Sequence, residues 1–186
     1  MPNLFTEDTY EQAIIELFEN MGYDHLYAPD FDRDYTSPIL DSILRDSLVR
    51  INRGLPVEAI DEAMSKLKNF DTGSLLQKNM IFMDYLQNGV TIKFFVKGEE
   101  QSSIVRLIDY QNVKSNSFYV VNQLTFLENG NNRRPDIILF INGLPLVLME
   151  LKSPAKDEVG VENAYHQIRN YMQDIPSLFY YNAICV

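Results

Sequence analysis

A single cysteine, Cys185, leaves no partner for an internal disulfide, so this 186-residue chain cannot rest on a covalent framework. It has no basic-then-apolar leader and no apolar run long enough to cross a bilayer, which excludes a spanning helix and points to the cytoplasm. Positive charge is scarce: 16 Lys and Arg stand against 26 Asp and Glu, a formal net charge of −10. A protein that coats polyanions through bulk positive charge is thereby excluded. Any contact with nucleic acid must be local. The chain also lacks internal repeats, low-complexity linkers and the phosphate-cradling G-x-x-x-x-G-K-[ST] loop, so these residues alone should not hydrolyse a nucleoside triphosphate. No helix-turn-helix or zinc finger is visible either, and sequence reading would fall to partners.

What is present suffices for a packed domain. An apolar content of 46% in 186 residues can build one core, which excludes a disordered tail and predicts one domain over 1–186. The charge is uneven: between Glu7 and Asp46 eleven Asp or Glu stand against two Arg. Such a run reads as solvated surface. Between Arg133 and Tyr171 the two signs balance at five each, with Arg133, Arg134, Lys152, Lys156 and Arg169 available to an anionic ligand.

Periodicity and end signals predict a helix over about 7–21, capped by Thr6, with Phe5 and Tyr10 stapled across the cap and Gly22 as the stop. Tyr10, Ile14, Leu17, Phe18 and Met21 form its expected apolar stripe. Glu11 lies beside that stripe, where an acid is poorly placed as ordinary surface. A helical block over about 37–87 follows, opening with Ser37 as cap and Pro38 at the first helical position, continuing near Pro56, and closing with a helix from Ser74 to Gln87. After Gly89 the period changes to that of strands, expected at about 90–96, 104–108, 117–127, 136–141 and 146–151. The last two are apolar on both faces, as in a sheet covered on both sides. A helix at about 161–172 and a strand at 181–186 complete a sheet core over about 90–186. That strand stops without a turn or polar tail, which leads us to expect a piece of a longer chain.

The chemistry concentrates in Asp136, then the Asn142–Gly143 turn, then Glu150-Leu151-Lys152. Glu150 and Lys152 are two apart, so in a strand they leave from one face. Charges among Val, Leu and Met need a reason, because an unpaired buried charge costs several kcal/mol. Register decides whether Asp136 joins them. A strict two-residue loop would set Asp136 opposite Met149, whereas a loop of Asn142, Gly143 and Leu144 would set it opposite Glu150; the chemistry requires that offset or an equivalent bulge. Two adjacent carboxylates then invite a proton or a divalent cation, and hard oxygen donors point to Mg²⁺ or Mn²⁺. Spacing alone supports equally a buried Asp-Lys-Glu ion-pair network. Gln167 and Tyr171 share one helix face, with Ala164 a turn earlier; taken alone they read more simply as a helix edge with a snorkelling Tyr. His25 and His166 have no metal-like spacing, and Cys185 reads as a small hydrophobe.

Taken together, Pro135-Asp136, Glu150-Leu151-Lys152 and Gln167 to Tyr171 resemble the PD-(D/E)xK nucleases that carry an additional Q-x-x-x-Y motif. Within them the chain is most similar to the amino-terminal endonuclease domain of the R (HsdR) subunit of type I restriction-modification enzymes, on Tyr10-Glu11-Gln12-Ala13 through Gly22-Tyr23 and Arg134-Pro135-Asp136 through Pro154. The resemblance implies a restriction-endonuclease-like α/β fold, a mixed central sheet flanked by helices with an inserted helical block after the first helix. It further implies that Asp136 and Glu150 bind Mg²⁺, that Lys152 is catalytic, that Glu11 is an added first-helix acid, and that Gln167 and Tyr171 assist DNA handling. Double-stranded DNA, methylation and specificity subunits, and ATP used by a motor region beyond this chain are the implied partners. The expected function is hydrolysis of DNA phosphodiester bonds with the 3′-oxygen leaving. The alternatives are a non-catalytic docking or allosteric domain of the same fold, and a repair or junction-resolving nuclease.

Overall fold

The computed structural model describes residues 6–30, 33–70, 73–152 and 161–186. In chain order the elements are α1 (Glu7–Asn20), β1 (Asp24–Tyr27), α2 (Asp41–Ile51), α3 (Val57–Lys68), α4 (Leu75–Asn88), β2 (Val90–Val96), β3 (Glu99–Val105), β4 (Phe118–Asn122), β5 (Phe126–Glu128), β6 (Asn131–Arg133), β7 (Ile137–Ile141), β8 (Leu144–Met149), α5 (Val161–Asp174) and β9 (Ile184–Cys185), with short 3₁₀ turns between some of them. The chain divides into two compact units, one of Met1–Pro38, Phe118–Phe140 and Pro145–Val186, the other of Ile39–Ser117 and Ile141–Leu144. Phe5 of the expected staple and Lys156 lie outside the described residues.

The first unit is organised by a five-stranded sheet of order β1-β4-β7-β8-β9. β1 runs parallel to β4 and β8 parallel to β9, while β7 and β8 form a hairpin, so the sheet is mixed. β7 and β8 are buried along nearly their whole length, as their unbroken apolar sequences require. α1 begins where its sequence signals place it: the Thr6 hydroxyl accepts a hydrogen bond from the Thr9 N–H at 3.3 Å. Its buried centre is Ile15, only 1% exposed and packed with Val120, Ile137, Leu139 and Leu151. The expected stripe is corrected here, because Tyr10, Leu17 and Met21 are 41%, 53% and 65% exposed, and Ile14, Ile15 and Phe18 make the contact instead. The sheet meets the face centred on Ile15, one residue round from the one expected. Burying an isoleucine of this kind contributes about 1.5–3 kcal/mol.

Three elements of this unit differ from expectation. β1 begins two residues after Gly22, and its four residues Asp24 to Tyr27 gain strand character from pairing with Tyr119 to Asn122 rather than from their own composition. The long strand expected over 117–127 breaks after Asn122, where Gln123 adopts a left-handed backbone with φ 58°. β5 and β6 then form a hairpin across Asn129 and Gly130, both at positive φ.

The second unit holds α2, α3, α4 and the β2–β3 hairpin. α4 opens with a reciprocal capping box in which Ser74 and Gln77 satisfy each other's backbone N–H groups. α2 starts at Asp41 rather than at Ser37 and Pro38; the Ser37 N–H bonds the Asp34 carbonyl at 3.2 Å in a turn instead. β2 and β3 pair with each other as a separate two-stranded sheet, so the main sheet does not begin at residue 90 as expected. Among the described residues no helix is long and apolar enough to cross a membrane.

Candidate active site

The hairpin that carries the acids turns at Asn142 and Gly143, with φ 53° and 82°. Strand ends at Ile141 and Leu144 make it the strict two-residue loop, not the three-residue loop that, failing an equivalent bulge, the chemistry was expected to require. Gly143 is dictated twice over: its φ favours glycine, and a Cβ there would meet the Leu40 carbonyl oxygen and the Leu44 nitrogen, each at 2.7 Å. Asn142 is fully buried, donating to the Leu107 carbonyl at 2.9 Å and to Asn116 Oδ1 at 2.8 Å while accepting from the Ser117 N–H at 2.8 Å.

The acids nonetheless come together, because neither lies inside a strand. Asp136 immediately precedes β7 and Glu150 immediately follows β8, so the alternation of the pleat does not govern them. Asp136 Oδ2 accepts the Leu151 N–H at 2.6 Å, which ties the carboxylate to the residue after Glu150. The Glu150 N–H donates to the Val186 carbonyl at 3.0 Å. Its side chain is 1% exposed, with Oε1 accepting from Lys152 Nζ at 2.7 Å. Lys152 Nζ donates again to Gln167 Oε1 at 2.9 Å, and Gln167 Nε2 donates to the Tyr171 hydroxyl at 2.7 Å. The i to i+4 spacing on α5 thus completes an unbroken polar chain from Glu150 through Lys152 and Gln167 to Tyr171.

Burial is the main force raising the Glu150 carboxyl above its ordinary range; the Lys152 hydrogen bond opposes it and the negative charge of Asp136 adds to it. Burial also pushes the Tyr171 phenol up to about 12, with the Gln167 hydrogen bond opposing and the Glu150 and Asp136 charges reinforcing. Both shifts follow chiefly from burial, with neighbouring negative charge adding to it. Glu150 Oε2 is buried without a hydrogen-bond partner. Two carboxylates, one with an orphaned oxygen and a raised pKa, make a hard donor set that fits a divalent cation such as Mg²⁺, which typically retains several waters and takes only one or two carboxylates from the protein. Among the described residues no group of three or more His, Cys, Asp or Glu is arranged to hold a metal ion.

Glu11 sits in a different setting. Its Oε1 accepts from Asn122 Nδ2 at 2.7 Å, and Gln123 Nε2 lies 3.3 Å from Oε1 and 3.1 Å from Oε2. Asn122 Oδ1 in turn lies 2.9 Å from His25 Nε2. One turn beyond Glu11, Ile15 packs with Ile137 and Leu151, the residues that follow Asp136 and Glu150. Asn122, Gln123 and His25 were not expected from sequence to bear on the site; the only signal was polar residues ending an apolar strand.

A polar cavity of about 550 Å³ is lined by Asn132, Arg133, Arg134, Asn163, His166 and Asn170 and shares Gln167 and Tyr171 with the chain just described. Arg133, expected to be available to an anion, is instead committed to Asp174 at 2.7 Å. Cys185 is half-buried, and burial raises its thiol pKa.

The fold and this cluster define an α/β domain with a mixed sheet that presents two acids, a lysine, an amide and a phenol beside one hairpin. Residues 4–186 match the family described as the type I restriction enzyme R protein N terminus, and the chain belongs to that family. It is 32% identical over 98% of its length to the type I restriction enzyme HindI endonuclease subunit of Haemophilus influenzae, and 32% identical over 95% to the MjaIXP endonuclease subunit of Methanocaldococcus jannaschii. It is also 27% identical over 91% of its length to the EcoprrI endonuclease subunit of Escherichia coli, of which it covers 50%. The chain spans 18% of the length of each of the first two relatives.

Proposed function

We propose that this chain is a metal-dependent endonuclease domain of restriction-endonuclease-like fold, which hydrolyses phosphodiester bonds of double-stranded DNA within an ATP-dependent type I restriction-modification complex. The observation that carries this reading is the junction of Asp136 with Leu151, which brings one acid beside a second, buried acid already paired to Lys152. Family membership supports restriction rather than repair or junction resolution.

Asp136 and Glu150 would hold Mg²⁺, or Mn²⁺ in its place. The ion supplies Lewis acidity, a lowered pKa for an attacking water and neutralisation of charge at the leaving oxygen. Lys152 keeps its ammonium beside Glu150, where it orients the water or stabilises the charge that builds on phosphorus. Gln167 holds that ammonium in place by accepting its second hydrogen bond, and Tyr171 holds Gln167. With its phenol pKa pushed up to about 12, Tyr171 stays protonated at neutral pH and serves as a fixed polar contact rather than as a base. Arg134 in the adjoining cavity supplies local positive charge for the DNA backbone despite the acidity of the whole. Methylation and specificity subunits would provide sequence recognition, and ATP would be used by a motor region beyond these residues.

The deciding experiment compares wild type with Asp136→Ala in the assembled complex, measuring DNA cleavage together with Mn²⁺ affinity. Loss of both supports the reading. Retained cleavage removes it and leaves a docking role for the domain.

A further inference from the structure

We infer that Asn122 and Gln123 are positioning residues that aim the Glu11 carboxylate, an inference that rests on the nuclease reading above. The starting point is a stereochemical conflict. Consecutive residues of a strand point to opposite faces, so the last residue of β4 and its successor should not reach the same group. Yet Asn122 Nδ2 and Gln123 Nε2 both donate to Glu11, and Gln123 spans its two oxygens at 3.3 and 3.1 Å.

The left-handed backbone at Gln123, φ 58°, resolves the conflict by turning the second side chain back toward the first. Glutamine has no intrinsic preference for that conformation, which is unfavourable for a residue with a Cβ. Strain of this kind persists where the surroundings over-determine it, and it concentrates where side chains must be held in one arrangement. Here the arrangement gained is a two-amide clamp on one carboxylate.

The clamp is itself supported. A carboxylate only accepts, so the Asn122 amide must present nitrogen to Glu11 and oxygen to His25. His25 Nε2 then carries the proton and donates to Asn122 Oδ1 at 2.9 Å. Asn122 is 7% exposed, so its amide cannot readily exchange these partners for water. Glu11 is thus fixed on the side where α1 packs against Ile137 and Leu151, next in sequence to Asp136 and Glu150.

The test uses the intact subunit assembled with its partners, in wild type, Gln123→Gly, Glu11→Ala and the double variant. Glycine accepts the left-handed backbone and removes the amide, so Gln123→Gly should cut DNA about 10–100-fold more slowly while its thermal midpoint without metal stays at or above that of wild type. In the Glu11→Ala background the same substitution should cause no further loss. Wild-type cleavage by Gln123→Gly, a lowered thermal midpoint, or an equal loss in the Glu11→Ala background would each overturn the clamp. Wild-type cleavage by Glu11→Ala would also overturn it, while leaving the nuclease reading to stand or fall on Asp136→Ala.

Discussion

Asp136 accepts a hydrogen bond from the backbone N–H of Leu151 at 2.6 Å, across fifteen positions of sequence. That bond, and not strand register, brings the first acid to the second. Asp136→Asn keeps an oxygen able to accept it, so the fold should survive. Under the proposed mechanism cleavage should fall by at least about 10²-fold, since the lost charge would bind the ion directly and even outer-shell partners are worth 10–100-fold. Circular dichroism alongside plasmid cleavage checks both halves.

Lys152→Ala would leave Glu150 buried without its cation. We expect a loss of about 1–3 kcal/mol in stability, seen as a lower denaturant midpoint. In the assembled enzyme DNA cleavage should stop while ATP hydrolysis continues. Loss of both activities together would instead assign Lys152 a structural role.

The raised carboxyl of Glu150 makes a prediction about pH. Because the folded state holds this proton more tightly than the unfolded chain, the associated stability is fully present below the ordinary carboxyl range. It is lost as pH rises through the raised value. Thermal midpoints of the metal-free protein should therefore contain a component that declines from acid toward neutral pH, is absent in Glu150→Gln, and is offset by Mg²⁺.

Gly143→Ala should destabilise by more than about 1 kcal/mol, from the left-handed backbone and from backbone atoms 2.7 Å from the new Cβ. A shifted urea midpoint at unchanged slope would show it. Alanine tolerated at no cost would mean that the turn can rearrange.

Local signals were the most legible part of this sequence. Thr6 and the pair Ser74 and Gln77 mark helix starts that the structure reproduces, because a cap is written in residues three apart. Ser37-Pro38 carried the same signal, but the Ser37 N–H is taken by a turn to Asp34. The Asn129–Gly130 hairpin was legible and overlooked: asparagine-glycine between two extended runs is a strong turn signal. β1 was not legible, since its strand character comes from Val120 and Val121, far along the chain. At the site, Glu150 with Lys152 and Gln167 with Tyr171 were legible as same-face pairs, but spacing alone favoured a snorkelling Tyr171, which the fold instead buries and links to Lys152 through Gln167. The clamp on Glu11 could not be anticipated, because Asn122 lies 111 residues away and meets it only through the fold.

The two-residue turn of the β7–β8 hairpin has a mechanical consequence for the acids at its opposite end. With only Asn142 and Gly143 between Ile141 and Leu144, the turn has no spare residue that would let one strand slip past the other. The arms therefore behave like calibrated rulers measured from a pinned end. Adding one valine to β7 would keep the strand apolar and leave the charge unchanged, yet it would carry Asp136 about 3.3 Å out of step with Leu151.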